Sequence, residues 1–232
     1  MRDRASVASR TLTSRNTSKM RSLYVTEHAM HFRNIDVVVF DAMGVTFVEG
    51  DDVSNLLIPF VARECGCTNR ETIRQLYLSA SLGRISSQEF WARVGCAPAS
   101  EREYLDTQLK LDPDFIAVAE RLKKRYVLAM LSNDVSEWSA YLRRRFALDR
   151  LFTSVVISGN YGFRKPDRRL YQILLRSLSV APHQCVFVDD QPQNLETAAQ
   201  LGMHTICRIR CDRDPPTYER AIESLRDLLT LL

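Results

Sequence analysis

An unbroken apolar run, Val37-Val38-Val39-Phe40, stops at Asp41, and Gly44 follows three residues later. Four consecutive strand-forming residues with no polar alternate cannot leave one face in water. They read as a strand buried on both faces, the situation of a parallel sheet covered by helices. Open sheets of that kind bind ligands along the edge where their strands end, and Asp41 stands at such an end. Position 43, two residues on, is a methionine.

The rest of the body carries the same rhythm. From about Asp51 to Lys110 no strand-like run occurs. The pattern predicts short amphipathic helices over Val53–Glu64, Arg70–Ser79, Ser87–Val94 and Glu101–Leu109, the third opened by a capping box of Ser86 with Glu89. From Asp112 onward strand and helix alternate. Helices are expected at Pro113–Lys124, Ser136–Phe146, Asp167–Leu178, Pro192–Leu201 and Tyr218–Leu231. Strands are expected at Tyr126–Leu131, Ser154–Ile157, Cys185–Val188 and His204–Cys207. The fold class is therefore α/β, a Rossmann-like parallel sheet with helices on both faces, plus an all-helical segment inserted after the first strand. The divisions are a basic arm at 1–33, a core at 34–50 and 111–232, and the helical insert at 51–110.

Charge and cysteine usage narrow the partners. Residues 1–33 hold seven basic side chains against two acidic ones, so the body is close to neutral although the chain carries +4. That body offers no footprint for nucleic acid. The arm has too little apolar content to order itself and lacks the apolar segment of a secretory signal. No run is long enough to span a bilayer. The six cysteines are scattered, with Cys65-Gly66-Cys67 too close for a zinc hairpin, and read as reduced thiols of a cytoplasmic protein. Glu49, Asp51 and Asp52 lie in the first hinge and read as cap or surface charges, Arg143-Arg144-Arg145 as a solvated face, and Trp91 and Trp138 as packing residues.

Four polar sites fall just after predicted strands or in the loops that follow them: Asp41, Ser132-Asn133, Lys165-Pro166 and Asp189-Asp190. Singly these are ordinary turn, cap or loop residues. In a parallel sheet they converge on one edge. Adjacent acids such as Asp189 and Asp190 repel unless something cationic holds them. Two or three carboxylates suit Mg2+, and a carboxylate nucleophile with a hydroxyl and an ammonium suits phosphoryl transfer.

Phe40–Thr46, Leu131–Asp134, Gly162–Asp167 and Val186–Asn194 together resemble the four motifs of the haloacid dehalogenase-like (HAD) superfamily, over roughly Ile35 to Arg210. The resemblance implies a helical (C1-type) cap and a hydrolase acting on a small phosphorylated metabolite. It implies Asp41 as nucleophile, Ser132 binding the phosphoryl group, and Lys165 balancing its charge. It implies a magnesium site at Asp41, Asp190, Asp189 and the main-chain carbonyl of Met43. Asn133, and Arg84 in the Ser81–Ile85 cap loop, are expected to contact substrate.

Met43 departs from the pattern. Family phosphatases carry a second aspartate there, which protonates the leaving alkoxide and then activates water. Methionine does neither, and losing such a group costs about 10²–10⁴-fold in rate. The expectation is a hydrolase with weakened acid/base catalysis. The alternative is an impaired member that binds a phosphorylated ligand or a protein partner. Dehalogenases also lack this acid, but their fourth motif lacks the paired acids. Phosphonate hydrolases need a cap lysine, and only Lys110, at the far edge, is on offer.

Overall fold

Val37–Phe40 forms the central strand β1, buried on both faces. A computed structural model of the chain describes residues 32, 34–209 and 220–232. Apart from Phe32, the basic arm lies outside the described residues, as do Cys211 and the start of the last expected helix. The fold proper occupies Asn34–Thr230. Its remaining strands are β2 (Val127–Ser132), β3 (Ser154–Ile157), β4 (Cys185–Asp189), β5 (His204–Arg208) and β6 (Ala221–Ile222). All pair in parallel, in the order β3-β2-β1-β4-β5-β6. The chain builds outward from β1 to β3, then returns to the other side of β1 with β4. The order therefore reverses at β1, and the ligand edge lies there.

Between β1 and β2 a π-helical turn, Val53–Leu57, runs into α1 (Ile58–Cys65) and is followed by α2 (Arg70–Ser81), α3 (Ser87–Arg93), α4 (Ala99–Thr107) and α5 (Phe115–Leu122). After β2 come α6 (Ser136–Arg145), α7 (Arg168–Leu178), α8 (Pro192–Gln200) and α9 (Leu228–Leu231). The expected capping residue opens α3, where Ser86 Oγ accepts the Glu89 amide at 3.1 Å. No described helix is long and apolar enough to cross a membrane.

Side-chain alternation decides what each sheet face buries. Val37 and Val39 of β1, with Cys185 and Phe187 of β4, pack under Leu170, Leu174, Leu195 and Ala198 of α7 and α8. Phe40, on the opposite face, meets Phe115 of α5 edge-on at 5.5 Å. The helical segment is rooted by a short antiparallel contact. Phe47 bridges Leu111, Val48 N–H donates to the Lys110 carbonyl, and Asp112 N–H donates to the Thr46 carbonyl, each at 2.9 Å.

Aromatic rings tie that segment to the sheet layer. Phe90, Trp91 and Tyr104 pack around Trp138 of α6, at 5.4, 5.7 and 5.6 Å, and Phe60 packs on Trp91 and Tyr104. Both tryptophans are almost wholly buried, as packing residues should be. The arginine run is not simply a solvated face. Arg145 donates to the Leu105 and Asp106 carbonyls at 2.7 and 2.8 Å, satisfying the open C-terminal end of α4. Arg143 bonds Asp149 at 2.7 Å.

Two further expectations are corrected. Cys65 and Cys96 are joined as a disulfide, their Cα atoms 5.0 Å apart. They end α1 and follow α3, so their meeting depends on helix packing rather than on spacing. The last helix expected over Tyr218–Leu231 is replaced, where described, by β6, a 3-10 turn at Leu225–Asp227 and α9. Buried Ile222, Leu225 and Leu228 recur every three residues, which a 3-10 turn satisfies as well as a helical face does. Asp227 closes the turn by accepting the Glu223 and Ser224 amides at 3.1 and 2.8 Å.

Trp138→Ala removes the ring on which the insert packs. The unfolding free energy from urea titration is expected to fall by about 3–5 kcal/mol, whereas Arg144→Ala on the exposed side of α6 leaves it within about 0.5 kcal/mol.

Candidate active site

Register builds the centre of the site. Phe40 pairs with both Met130 and Val188, so Asp41 is level with Leu131 and Asp189. Asp41 continues the Val37, Val39 face and Asp189 continues the Cys185, Phe187 face. Both carboxylates therefore leave the sheet on the same side, one strand spacing apart. Asp41 N–H still donates to the Val188 carbonyl at 2.9 Å, and Thr46 Oγ1 donates to the Asp41 carbonyl at 2.7 Å, which holds the turn after β1.

Lys165 joins the two acids. Its Nζ lies 2.8 Å from Asp41 Oδ1 and 2.7 Å from Asp189 Oδ2, with the ammonium 5.1 Å from the centre of the Phe187 ring. The Asn133 carboxamide fixes the lysine main chain. Its Oδ1 accepts the Lys165 N–H at 2.7 Å and its Nδ2 donates to the Lys165 carbonyl at 2.9 Å. Asp189 also accepts the Gln191 N–H at 2.7 Å and Asn194 Nδ2 at 3.0 and 3.1 Å. Asp190 follows it, with Gln191 Nε2 donating at 3.0 Å.

Carboxylate oxygens of Asp41, Asp189 and Asp190 all lie within 4.8 Å of one another. Three buried acids face one lysine. Burial and then the Asp189 charge push Asp41 well above the usual carboxylate range, against the pull of Lys165. Burial opposes the ammonium of Lys165, yet the charges of Asp189 and Asp41 together leave its pKa raised. A surplus of negative charge on hard oxygens is what a magnesium ion relieves, so this donor set fits that cation. The described bonds to the Asp41 carboxylate both fall on Oδ1, which leaves Oδ2 for the cleft.

A cleft of about 270 Å³ opens over this centre, lined by Asp41, Met43, Ser132, Asn133, Lys165 and Asp190 among others. Sequence reasoning expected all six. It brought Asp189 there as well, although that residue is fully buried behind them. Arg84 does not line this cleft. It is exposed and borders a separate depression with Glu89, Glu137 and Asn160. The loop that carries it is pressed onto the sheet layer: Ser158 Oγ donates to the Ser81 carbonyl at 2.6 Å, and any Cβ on Gly83 would overlap the Gly159 carbonyl oxygen. That contact turns Arg84 outward.

Other residues take the far wall. Arg164, Tyr77, Asp51 and Asp52 line it. Arg164 donates to Ser81 Oγ and stacks 5.5 Å from the Tyr77 ring centre, and Tyr77 OH donates to the Asn133 carbonyl at 3.2 Å. Arg164 adjoins Lys165 in the third motif, which is a signal the sequence offered. Tyr77 occupies an inward position of α2 and has no sequence signal distinguishing it from core.

A model of haloacid dehalogenase-like hydrolases matches residues 35–202. The chain is 33% identical over 131 residues to (S)-2-haloacid dehalogenase 4A of Burkholderia cepacia, covering 54% of this chain and 56% of that protein. It is 31% identical over 122 residues to phosphoserine phosphatase of Thermus thermophilus, covering 50% and 49%. It thus spans about half the length of these curated relatives. A mutant HAD family enzyme from Bacteroides thetaiotaomicron, solved with magnesium and inorganic phosphate, shares the fold with a TM-score of 0.67. The match covers 78% of this chain and 96% of that one at 19% identity.

Lys165→Met leaves Asp41 and Asp189 buried beside each other with no cation. At about pH 8 the unfolding free energy is expected to drop by about 3–5 kcal/mol. The deficit shrinks on acidification, because a buried acid with a raised pKa takes up a proton earlier in the folded state than in the unfolded chain. Urea titrations at about pH 8 and about pH 5 measure it.

Proposed function

The chain belongs to the haloacid dehalogenase-like hydrolase family, and on that premise we propose that it hydrolyses a small phosphorylated molecule through an aspartyl-phosphate on Asp41, with magnesium as cofactor. The observation that carries this reading is the trio of buried carboxylates within 4.8 Å of one another beneath an open cleft. Asp41, Asp190, Asp189 and the Met43 carbonyl would hold the ion, which supplies positive charge to the phosphoryl oxygens.

The chain's own groups then divide the remaining tasks. Asp41 lines the cleft, and its Oδ2, which neither Lys165 nor the Ala42 amide bonds, attacks phosphorus. Lys165 keeps charge balanced between Asp41 and Asp189 and offers its ammonium to the phosphoryl group. Ser132, at the end of β2, binds a non-bridging oxygen. Asn133 acts by holding the lysine main chain, and the anion contact expected of Arg84 passes to Arg164. Residues 51–110 form the cap that closes the cleft and excludes water.

Dehalogenation is the rival reaction, favoured by the Burkholderia relative and by Met43. It would have no use for a cation-binding acid trio. The distinguishing experiment is a panel of acetyl phosphate, p-nitrophenyl phosphate, alkyl phosphates and 2-haloacids, with magnesium or with a chelator. Phosphate release that stops with chelator and is lost in Asp41→Asn is the expected result. Halide release that survives chelation would assign the dehalogenase reaction, and no turnover of anything would assign a ligand-binding role. Independently, magnesium is expected to raise the melting temperature of the wild-type protein and to leave that of Asp190→Asn almost unmoved.

A further inference from the structure

Sequence position makes Asp52 a hinge charge. The structure buries it at 6% exposure and sets it in the wall of the cleft that also contains Asp41 and Met43. It enters the π-helical turn Val53–Leu57 with no side-chain capping bond to amides of that turn beyond its neighbour Val53. Burial, then the neighbouring Asp51 charge, outweigh the Val53 amide and Arg164 and push it up to about 7.

The groups around it are Asp51 beside it, Tyr77 of α2, Tyr104 of α4, Asp134 after β2 and Arg164 from the loop before α7. Each feels its charge or is felt by it. Other proton donors in the cleft wall are already engaged or unsuited. Asp41 and Asp190 belong to the carboxylate trio. Asp51 is exposed and accepts the Ser54 amide at 3.1 Å. Tyr77 OH donates to the Asn133 carbonyl, and burial raises its pKa well above 10. Asp134 is buried but does not line the cleft.

We infer that Asp52 is the catalytic residue that protonates the leaving oxygen and later activates water, the task that Met43 cannot perform. The inference rests on the phosphohydrolase reading above. In the first step Asp41 Oδ2 forms a bond to phosphorus as the bond from phosphorus to the ester oxygen breaks. That oxygen keeps the bonding pair and takes the proton from the Asp52 carboxyl, leaving as an alcohol. In the second step the Asp52 carboxylate removes a proton from water as the water oxygen bonds to phosphorus. The bond from phosphorus to Asp41 breaks, inorganic phosphate leaves, and both side chains return to their starting state. A carboxyl that changes protonation near neutral pH is suited to both halves.

The test separates leaving groups. An alkoxide needs a proton and the acetate released from acetyl phosphate does not. Asp52→Asn is expected to lower kcat/KM for an alkyl phosphate, which covers only the steps up to loss of the alcohol, by about 10²-fold or more, while kcat/KM for acetyl phosphate changes by less than about tenfold. Met43→Asp in the Asp52→Asn background is expected to restore alkyl phosphate turnover. An acid donor acts only while protonated, so wild-type kcat/KM for the alkyl substrate falls as pH rises through about 7, and kcat/KM for acetyl phosphate lacks that limb. An equal effect on kcat/KM of both substrates, or none on either, overturns the assignment. If Asp52→Asn does not fold, the two wild-type pH profiles decide, and parallel curves overturn it. Hydrolysis that needs Asp41 but ignores Asp52 removes the donor alone. Absence of any Asp41-dependent hydrolysis removes the phosphohydrolase reading, and the donor with it.

Discussion

One ammonium holds the centre of this molecule together. Parallel pairing puts Asp41 and Asp189 on neighbouring strands with their side chains on the same face, and nothing in the sheet itself would keep two such charges there. Lys165 reaches both, at 2.8 and 2.7 Å. Burying three ions costs several kcal/mol each, and their attraction repays this only with good geometry and satisfied hydrogen bonds. Asn133 supplies much of that geometry by bonding both main-chain groups of the lysine. Asn194 and the Gln191 amide complete the shell of Asp189. The arrangement is a costly way to stabilise a core and a sound way to prepare one for a cation and an anion.

The helical segment after β1 contributes more than cover. Its aromatic cluster packs against Trp138, its Ser81–Gly83 turn is pressed onto Ser158 and Gly159, and its Tyr77 reaches the end of β2. These contacts bring Asp52, Tyr77 and Tyr104 within electrostatic reach of Asp134, and Arg164 within reach of Asp52 and Tyr77. A patch of polar groups is thereby enclosed beside the cleft, and burial raises the carboxyls of Asp52 and Asp134 to about 7 and about 8. Met43 and Asp52 belong to one account. The loop after β1 lacks an acid at the usual place, and the root of the insert places one in the same cleft.

Much of the fold was legible because the relevant signals are local. The apolar run before Asp41, the alternation of helical and strand periods, and Ser86 with Glu89 each depend on a few neighbouring residues. The convergence of Asp41, Ser132, Lys165 and Asp189-Asp190 was legible too, since parallel strands bring their ends to one edge. What escaped has no local signature. Asp52 looks like its exposed neighbour Asp51 until the insert folds over it. Arg84 looks like a cleft residue until the Ser81–Gly83 turn is pressed onto Gly159. Cys65 and Cys96 lie 31 residues apart and meet only because α1 and α3 pack together.

The amino-acid sequence alone determined the kind of sheet, the strand ends at which chemistry is placed and the absence of an acid at position 43, because hydrophobic period and residue type decide these within one strand. Tertiary structure decided which charges are buried together and which arginine faces the cleft. Exposure and electrostatic environment are set by elements far apart in the chain, and no short stretch contains them.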